Sequence, residues 1–282
     1  MFTAITLGGG GYRGLLIVGA LKELSLHQPL EFPDGIYGLS IGAILATALA
    51  YRVSIENIQL LFQSVSVDQF LPAVRLPNLF EAPSSKGIYS TEALAIAIQS
   101  AFMKLNIDIS TARIKDAPQP LHIIASNITR CIPTIFEGDV PILDALRASC
   151  ALPGIFHPHI IYDSAYLDGC LYVSSMIDTL PEHIRDMALI INLSRRNRGI
   201  TPEMISQLSP FKFGEMMYQG VSQFRLKTTR TQNTIVLYNE SVDSLDLLTV
   251  EQQQSLVDSG SSQFALWSKR LAEPCLNTSS LE

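Results

Sequence analysis

The chain has 282 residues, of which 47% are hydrophobic and 16% charged, with a formal net charge of −6. That length buries an ample core for one large α/β domain or two modest ones. The acidic balance argues against a nucleic-acid partner, which needs a clustered basic surface, and against strong attraction to anionic lipid.

Residues 1–7 alternate in a β-compatible pattern and lack the basic start of a secretory signal, so secretion by a cleaved leader is not expected. Four glycines follow at 8–11, and the apolar spacing of residues 14–24 predicts a buried helix that ends near Gln28 and Pro29. Residues 35–37 read as a short buried strand, 38–42 as a sharp turn and 41–51 as a second buried helix. The apolar runs at 14–20 and 43–50 fall short of the roughly 20 residues that span a bilayer. Residues 66–90, rich in Pro and Ser and without periodicity, predict a long surface loop. Its scattered apolar residues, Phe70, Leu71, Val74, Leu76, Leu79 and Phe80, suit either a mobile cover or a loop packed permanently on the domain.

Residues 91–105 have helical spacing, with Leu94, Ile98, Ala101 and Phe102 on one face. Strands are expected at 121–126 and 134–136, and a helix at 142–151 that stops at Leu152-Pro153-Gly154. Tyr166 and Leu167 lead into an Asp168-Gly169 turn, and 188–193 reads as another buried strand. From Pro202 onward the chain is mostly polar helix with one β-like stretch at 233–238. Strands alternating with helices predict a largely parallel sheet covered on both faces. The expected organisation is a main domain over 1–195 and a mainly helical extension over 196–282 packed on it. The four cysteines, Cys131, Cys150, Cys170 and Cys275, show neither CxxC pairing nor metal spacing and read as free thiols in a reducing compartment.

Two motifs carry chemistry. Gly38-Leu39-Ser40-Ile41-Gly42 fits G-x-S-x-G, the turn that lifts a serine hydroxyl above a sheet and places it at a helix N-terminus. The glycine run with Tyr12, Arg13 and Gly14 lies between a strand and a helix, where successive N–H groups can turn inward to hold an oxyanion. The same stretch matches G-x-G-x-x-G at Gly9, Gly11 and Gly14, the dinucleotide fingerprint. That reading needs an acidic residue at the end of the second strand, and Glu31 and Asp34 flank Pro33 instead. A hydrolase explains both motifs and a nucleotide site only one. For a base, His27, His122 and His183 lack a supporting motif, which leaves His157, His159 and the Asp168 turn. Periodicity does not choose among them.

In these motifs the chain resembles the patatin-like phospholipase family. The resemblance also takes in Lys86-Gly87-Ile88-Tyr89-Ser90-Thr91, the stretch from Arg147 to Phe156 with its Ala151-Leu152-Pro153-Gly154, and Asp168-Gly169, in family order from residue 1 to about 194. It implies a three-layer α/β/α domain with a mostly parallel central sheet and metal- and cofactor-independent deacylation of phospholipid or other acyl lipids. It further implies Ser40 as nucleophile, Asp168 as base without a histidine, Gly9, Gly10 and Gly11 as oxyanion donors, and Arg13 as a brace for the loop or a contact to the substrate. A cytoplasmic protein that binds membrane surfaces transiently is the expectation that follows. Two departures stand out: Cys170 follows Asp168-Gly169 where the family has Gly or Ala, and Ser174-Ser175-Met176-Ile177-Asp178 replaces an Asn-rich, Pro-containing stretch. They favour, as the alternative, a catalytically silent lipid- or protein-binding module on the same fold.

Overall fold

The computed structural model describes residues 1–64, 71, 84–173, 175–195, 201–207, 231–240, 242 and 248–272. Its centre is an eight-stranded sheet. Five strands run parallel in the order β10 (Thr234–Asn239), β9 (Ala188–Arg195), β1 (Ala4–Leu7), β2 (Gly35–Leu39) and β4 (Leu121–Asn127). All four residues of β1 are buried, as a strand covered on both faces requires. On the far side of the sheet, β8 (Ser164–Asp168) runs antiparallel to β4 and β7 (His159–Ile161) antiparallel to β8. β5 (Ile132–Phe136) takes the other edge of β4.

The register along β4 fixes where the chemistry sits. β2 pairs with β4 up to Leu39 opposite Ile124, and β8 pairs from Tyr166 opposite Asn127 back to Asp168 opposite Ala125. Because β5 occupies the opposite edge of β4, β2 and β8 share one edge. Their C-terminal ends meet head to head, and the residues at that junction are Ser40 and Asp168.

One face of the sheet carries the long helices: α1 (Gly14–Ser25), α2 (Ile41–Ala50), α3 (Ile55–Ser64), α4 (Thr91–Lys104) and α5 (Ile142–Ser149). Helix α1 is buried at nine of its twelve positions because it lies between the sheet and α7 (Val250–Ala272). The two helices cross through glycines. A Cβ on Gly19 would lie 2.7 Å from the Ser261 nitrogen, and one on Gly260 2.7 Å from the Leu16 carbonyl carbon. Phe2 stacks on Trp267 at the same contact.

The opposite face, lined by Ala4, Tyr37, Leu39, Ile124, Ala188 and Ile190, packs on Val173, Met176, Ile177, Leu180 and Ile184. Among the described residues that second layer consists of 3-10 turns at Gly169–Leu171, Met176–Thr179 and Glu182–Met187. Several short elements differ from the sequence reading. Helix α3 was not anticipated, and β3 (Gly87–Tyr89) lies inside the expected surface loop, pairing with β6 (Gly154–Phe156) as a separate two-stranded sheet. Of the expected 66–90 loop, residues 66–70 and 72–83 lie outside the described residues, so five of the six proposed cover residues do too. A short helix, α6 (Pro202–Gln207), follows β9. Among the described residues no helix is long and apolar enough to cross a membrane.

Candidate active site

Ser40 sits between β2 and α2 with φ 55° and ψ −130°, a strained conformation for a residue with a side chain. Its two flanking glycines make the turn possible. A Cβ on Gly38 would come within 2.7 Å of the Ala43 Cα, and one on Gly42 within 2.7 Å of the Gly8 carbonyl oxygen. The elbow is therefore pressed against the end of β1 and the start of the glycine loop, which brings nucleophile and loop together. The Ser40 backbone N–H, left out of the strand ladder, donates to Ser149 Oγ at 2.8 Å.

Asp168 ends β8 fully buried. One carboxylate oxygen, Oδ1, accepts from the Cys170 N–H at 2.9 Å, while Oδ2 has no hydrogen-bond partner among the described residues. Burial pushes its carboxyl above the ordinary carboxylate range. Smaller opposing influences come from the Ser40 hydroxyl and from the backbone and thiol of Cys170. The serine thus lies close enough to favour the ionised carboxylate, but Oδ2 is not locked in a bond of good geometry. Such an arrangement makes an aspartate a stronger base than it is in water. The buried Cys150 thiol is raised well above its ordinary pKa, by burial first and then by the Asp168 charge, and stays a neutral thiol.

The glycine loop runs past the Ser40–Asp168 junction. Gly9 faces it directly: a Cβ there would lie 2.5 Å from Cys170 Sγ and 2.9 Å from Ser40 Cβ. The space that Gly9 leaves is what Cys170, the unusual residue after Asp168-Gly169, fills. A Cβ on Gly10 would meet Leu193 Cδ1 at 2.8 Å, and Gly11 adopts φ 57°, the left-handed region that favours glycine. Arg13, 6% exposed, points back into the loop, and its Nε donates to the Gly10 carbonyl at 3.2 Å. That bond makes it a brace of the loop.

Next to Ser40 opens an apolar pocket of about 130 Å³ between α2, α3 and α4. Its lining includes Ile44, Phe62, Leu94, Ile98, Ala101 and Phe102. The apolar face of α4 read from the sequence is one wall of this pocket. The two histidine candidates have these partners. His159 is held on β7 with Nε2 3.2 Å from Asp144 Oδ1, and the His157 backbone N–H donates to the Tyr89 carbonyl.

Sequence reasoning passed over two polar residues of the site. Ser149 fell in a recognised motif without a role, and Ser126 ended an apolar strand without comment. Both hydroxyls are fully buried, and a serine among apolar neighbours at a strand or helix end is the signal that could have singled them out.

A strained serine at the head of a helix, a buried aspartate and a glycine loop beside an apolar pocket are what this site offers. The match to the Patatin-like phospholipase family over residues 5–181 decides the relationship. The chain belongs to this family. It is 29% identical over 245 residues to a cGAMP-activated phospholipase of Escherichia coli, with 77% of this chain and 66% of the relative covered. It is also 26% identical over 271 residues to an uncharacterized protein of Acanthamoeba polyphaga mimivirus, covering 91% of this chain and 90% of that one. The crystal structure of VipD from Legionella pneumophila shares the fold, with a TM-score of 0.60 at 14% identity over 95% of this chain and 67% of the other.

Proposed function

We propose that this patatin-like chain is a lipid acyl hydrolase, of phospholipase A or lysophospholipase type, that works through Ser40 and Asp168. The observation that carries the reading is the fully buried Asp168 carboxylate, with one oxygen unpartnered among the described residues, set beside a strained serine at the mouth of an apolar pocket. In this mechanism Ser40 Oγ attacks the acyl carbonyl carbon while Asp168 takes the hydroxyl proton. The oxyanion is held by N–H groups of Gly9, Gly10 and Gly11; those of Gly9 and Gly10 have no partner among the described residues. Collapse of the intermediate breaks the ester bond, and the departing alcohol or lysolipid takes the proton from Asp168. Water then attacks the acyl-enzyme with Asp168 again as base, releasing the fatty acid and restoring Ser40.

The pocket suits the first few carbons of the acyl chain, since apolar cavities of about 150 Å³ bind molecules the size of benzene. Arg13 acts as support for the loop. Residues 1–195 supply the chemistry, and β10 and α7 act as structural support, one as a strand of the central sheet and the other against α1. The substrate is drawn from a membrane surface that the protein visits transiently from the cytoplasm. Activation by a small ligand, named for the Escherichia coli relative, is a form of control open to this chain as well.

The test is hydrolysis of a short p-nitrophenyl ester, and of mixed lipid vesicles with identification of the released products. Ser40→Ala is expected to lose at least about 99% of turnover with its fold intact, whereas His157→Ala and His159→Ala keep theirs. A dead histidine variant beside an active Asp168→Asn would replace the dyad with a triad. A wild-type protein that binds vesicles yet releases no fatty acid would support the silent module.

A further inference from the structure

We infer that Ser126 and Ser149 are positioning residues that hold the ends of β8 and β2 together along one edge of β4 and so set the approach of Asp168 to Ser40. The inference rests on the Ser40–Asp168 reading and adds to it the means by which the pair is aligned.

The head-to-head meeting of two strands creates a structural difficulty. Neither strand continues past the junction, so the ladder of backbone bonds that fixes β2 and β8 stops where alignment matters most. Two buried hydroxyls take over there. Ser149, the last residue of α5, accepts from the Ser40 N–H at 2.8 Å and donates to the Ile124 carbonyl of β4 at 2.6 Å. Ser126, on β4 itself, has its Oγ 2.9 Å from the Asp168 carbonyl and 3.2 Å from the Gly169 carbonyl, and accepts from the Tyr172 N–H at 3.1 Å. The nucleophile is therefore tied to β4 at residue 124 and the aspartate turn at residue 126, two positions apart on one strand.

The chemistry requires a hydroxyl at each place. A serine oxygen can accept one bond and donate another at once, which neither alanine nor a thiol does well. Both sites are fully buried, so no water replaces the lost partner. The Ser40 N–H would then be an unsatisfied buried donor at a residue already strained at φ 55°. Release of that strain moves Ser40 relative to Asp168, and a displacement of about 1 Å is enough to cost roughly a hundredfold in rate.

Steady-state kinetics on a soluble p-nitrophenyl ester test this, with thermal melting alongside. Ser149→Ala and Ser126→Ala are each expected to lower kcat by about 10- to 100-fold while KM stays within about twofold. Thr47→Ala is the reference, because Thr47 is also fully buried and donates to the Ala43 carbonyl at 2.8 Å within α2. It removes a buried hydroxyl from the helix that begins after Ser40 without touching the junction, and its kcat is expected to change by less than about threefold. The inference is overturned if the serine variants keep wild-type kcat, or if Thr47→Ala loses as much. Where one serine variant fails to fold the other decides, and where both fail, Ser149→Cys, close in shape but weak in both bonds, reads the same kcat. Ser40→Ala separates the two levels: an active Ser40→Ala sinks the dyad, whereas an inactive one beside fully active serine variants sinks only the positioning role.

Discussion

Replacing Gly42 with alanine puts a methyl group where the chain leaves no room. The new Cβ would lie 2.6 Å from the Leu7 carbonyl carbon and 2.7 Å from the Gly8 oxygen, with the Leu7 oxygen closer still. Carbon–oxygen contacts of this kind normally stay near 3.3–3.6 Å, so relief needs a separation of more than about 1 Å. Every opposing atom is backbone, and none can swing aside. The start of α2 must therefore move away from the end of β1, which parts Ser40 from the glycine loop. Overpacking at a buried site costs about 1–3 kcal/mol, a fall of several degrees in Tm for a domain of this size. The loss of alignment is expected to lower kcat about a hundredfold, well beyond what the lost stability explains. The assay pairs kcat on a soluble ester with a thermal melt. Gly138→Ala serves as the control: its φ of 63° carries a strain of roughly 1–2 kcal/mol, but nothing lies within 4 Å of the added carbon. A Gly42→Ala protein that retains kcat within threefold of wild type would refute the claim that the elbow and the loop are held in mutual contact.

Asp168→Asn should remove activity and raise stability at neutral pH. Burial lifts the Asp168 pKa above its unfolded value, so its contribution to stability is whole below the ordinary carboxylate pKa. That contribution is lost as pH rises through the folded value, and the Tm advantage of the asparagine variant should grow from acid to neutral pH; a constant or shrinking advantage contradicts it. In the wild type, the same raised pKa places the acid limb of the kcat/KM profile above the ordinary carboxylate range, and a limb within that range would remove Asp168 as the base. Ala101→Phe adds a benzene-sized group to the pocket wall and is expected to cut turnover of an octanoyl ester at least about tenfold while sparing an acetyl ester. Equal losses on both esters would mean that the acyl chain lies elsewhere.

Much of the α/β order was legible in the sequence because its signals are local. The buried runs of β1, α1 and α2 and the single apolar face of α4 show in consecutive residues, and the glycines at 8–11, 38 and 42 mark turns by their own conformational needs. The strands β3 and β6 have three residues each, too few to display a period, and exist because they pair across 67 positions of sequence, Gly87 with Gly154. Helix α3 does carry a local signal, with buried Ile55, Ile58, Leu61 and Phe62 at helical spacing, and the sequence reading passed over it. The roles of Ser126 and Ser149 were hidden, like β3 and β6, by distance in sequence: a hydroxyl's worth depends on partners 42 and 109 residues away. The same holds for Cys170. Read alone it is a departure from pattern, and only the vacancy at Gly9 makes it fit.

The crossing of α1 with α7 bears on where this protein can be cut. The family match ends at residue 181, before β9 begins, and β9 is the strand that neighbours β1. A fragment trimmed to the family match would leave β1 as an open edge and strip the outer cover from α1, the helix that anchors the glycine loop. Gly19 and Gly260 bring the two helix backbones together from positions 241 residues apart, so the last long helix clasps the first from outside. For expression, domain grafting or fusion, the smallest unit worth making therefore runs at least through Ala272, and the natural seams of the molecule are not the ones that sequence kinship draws.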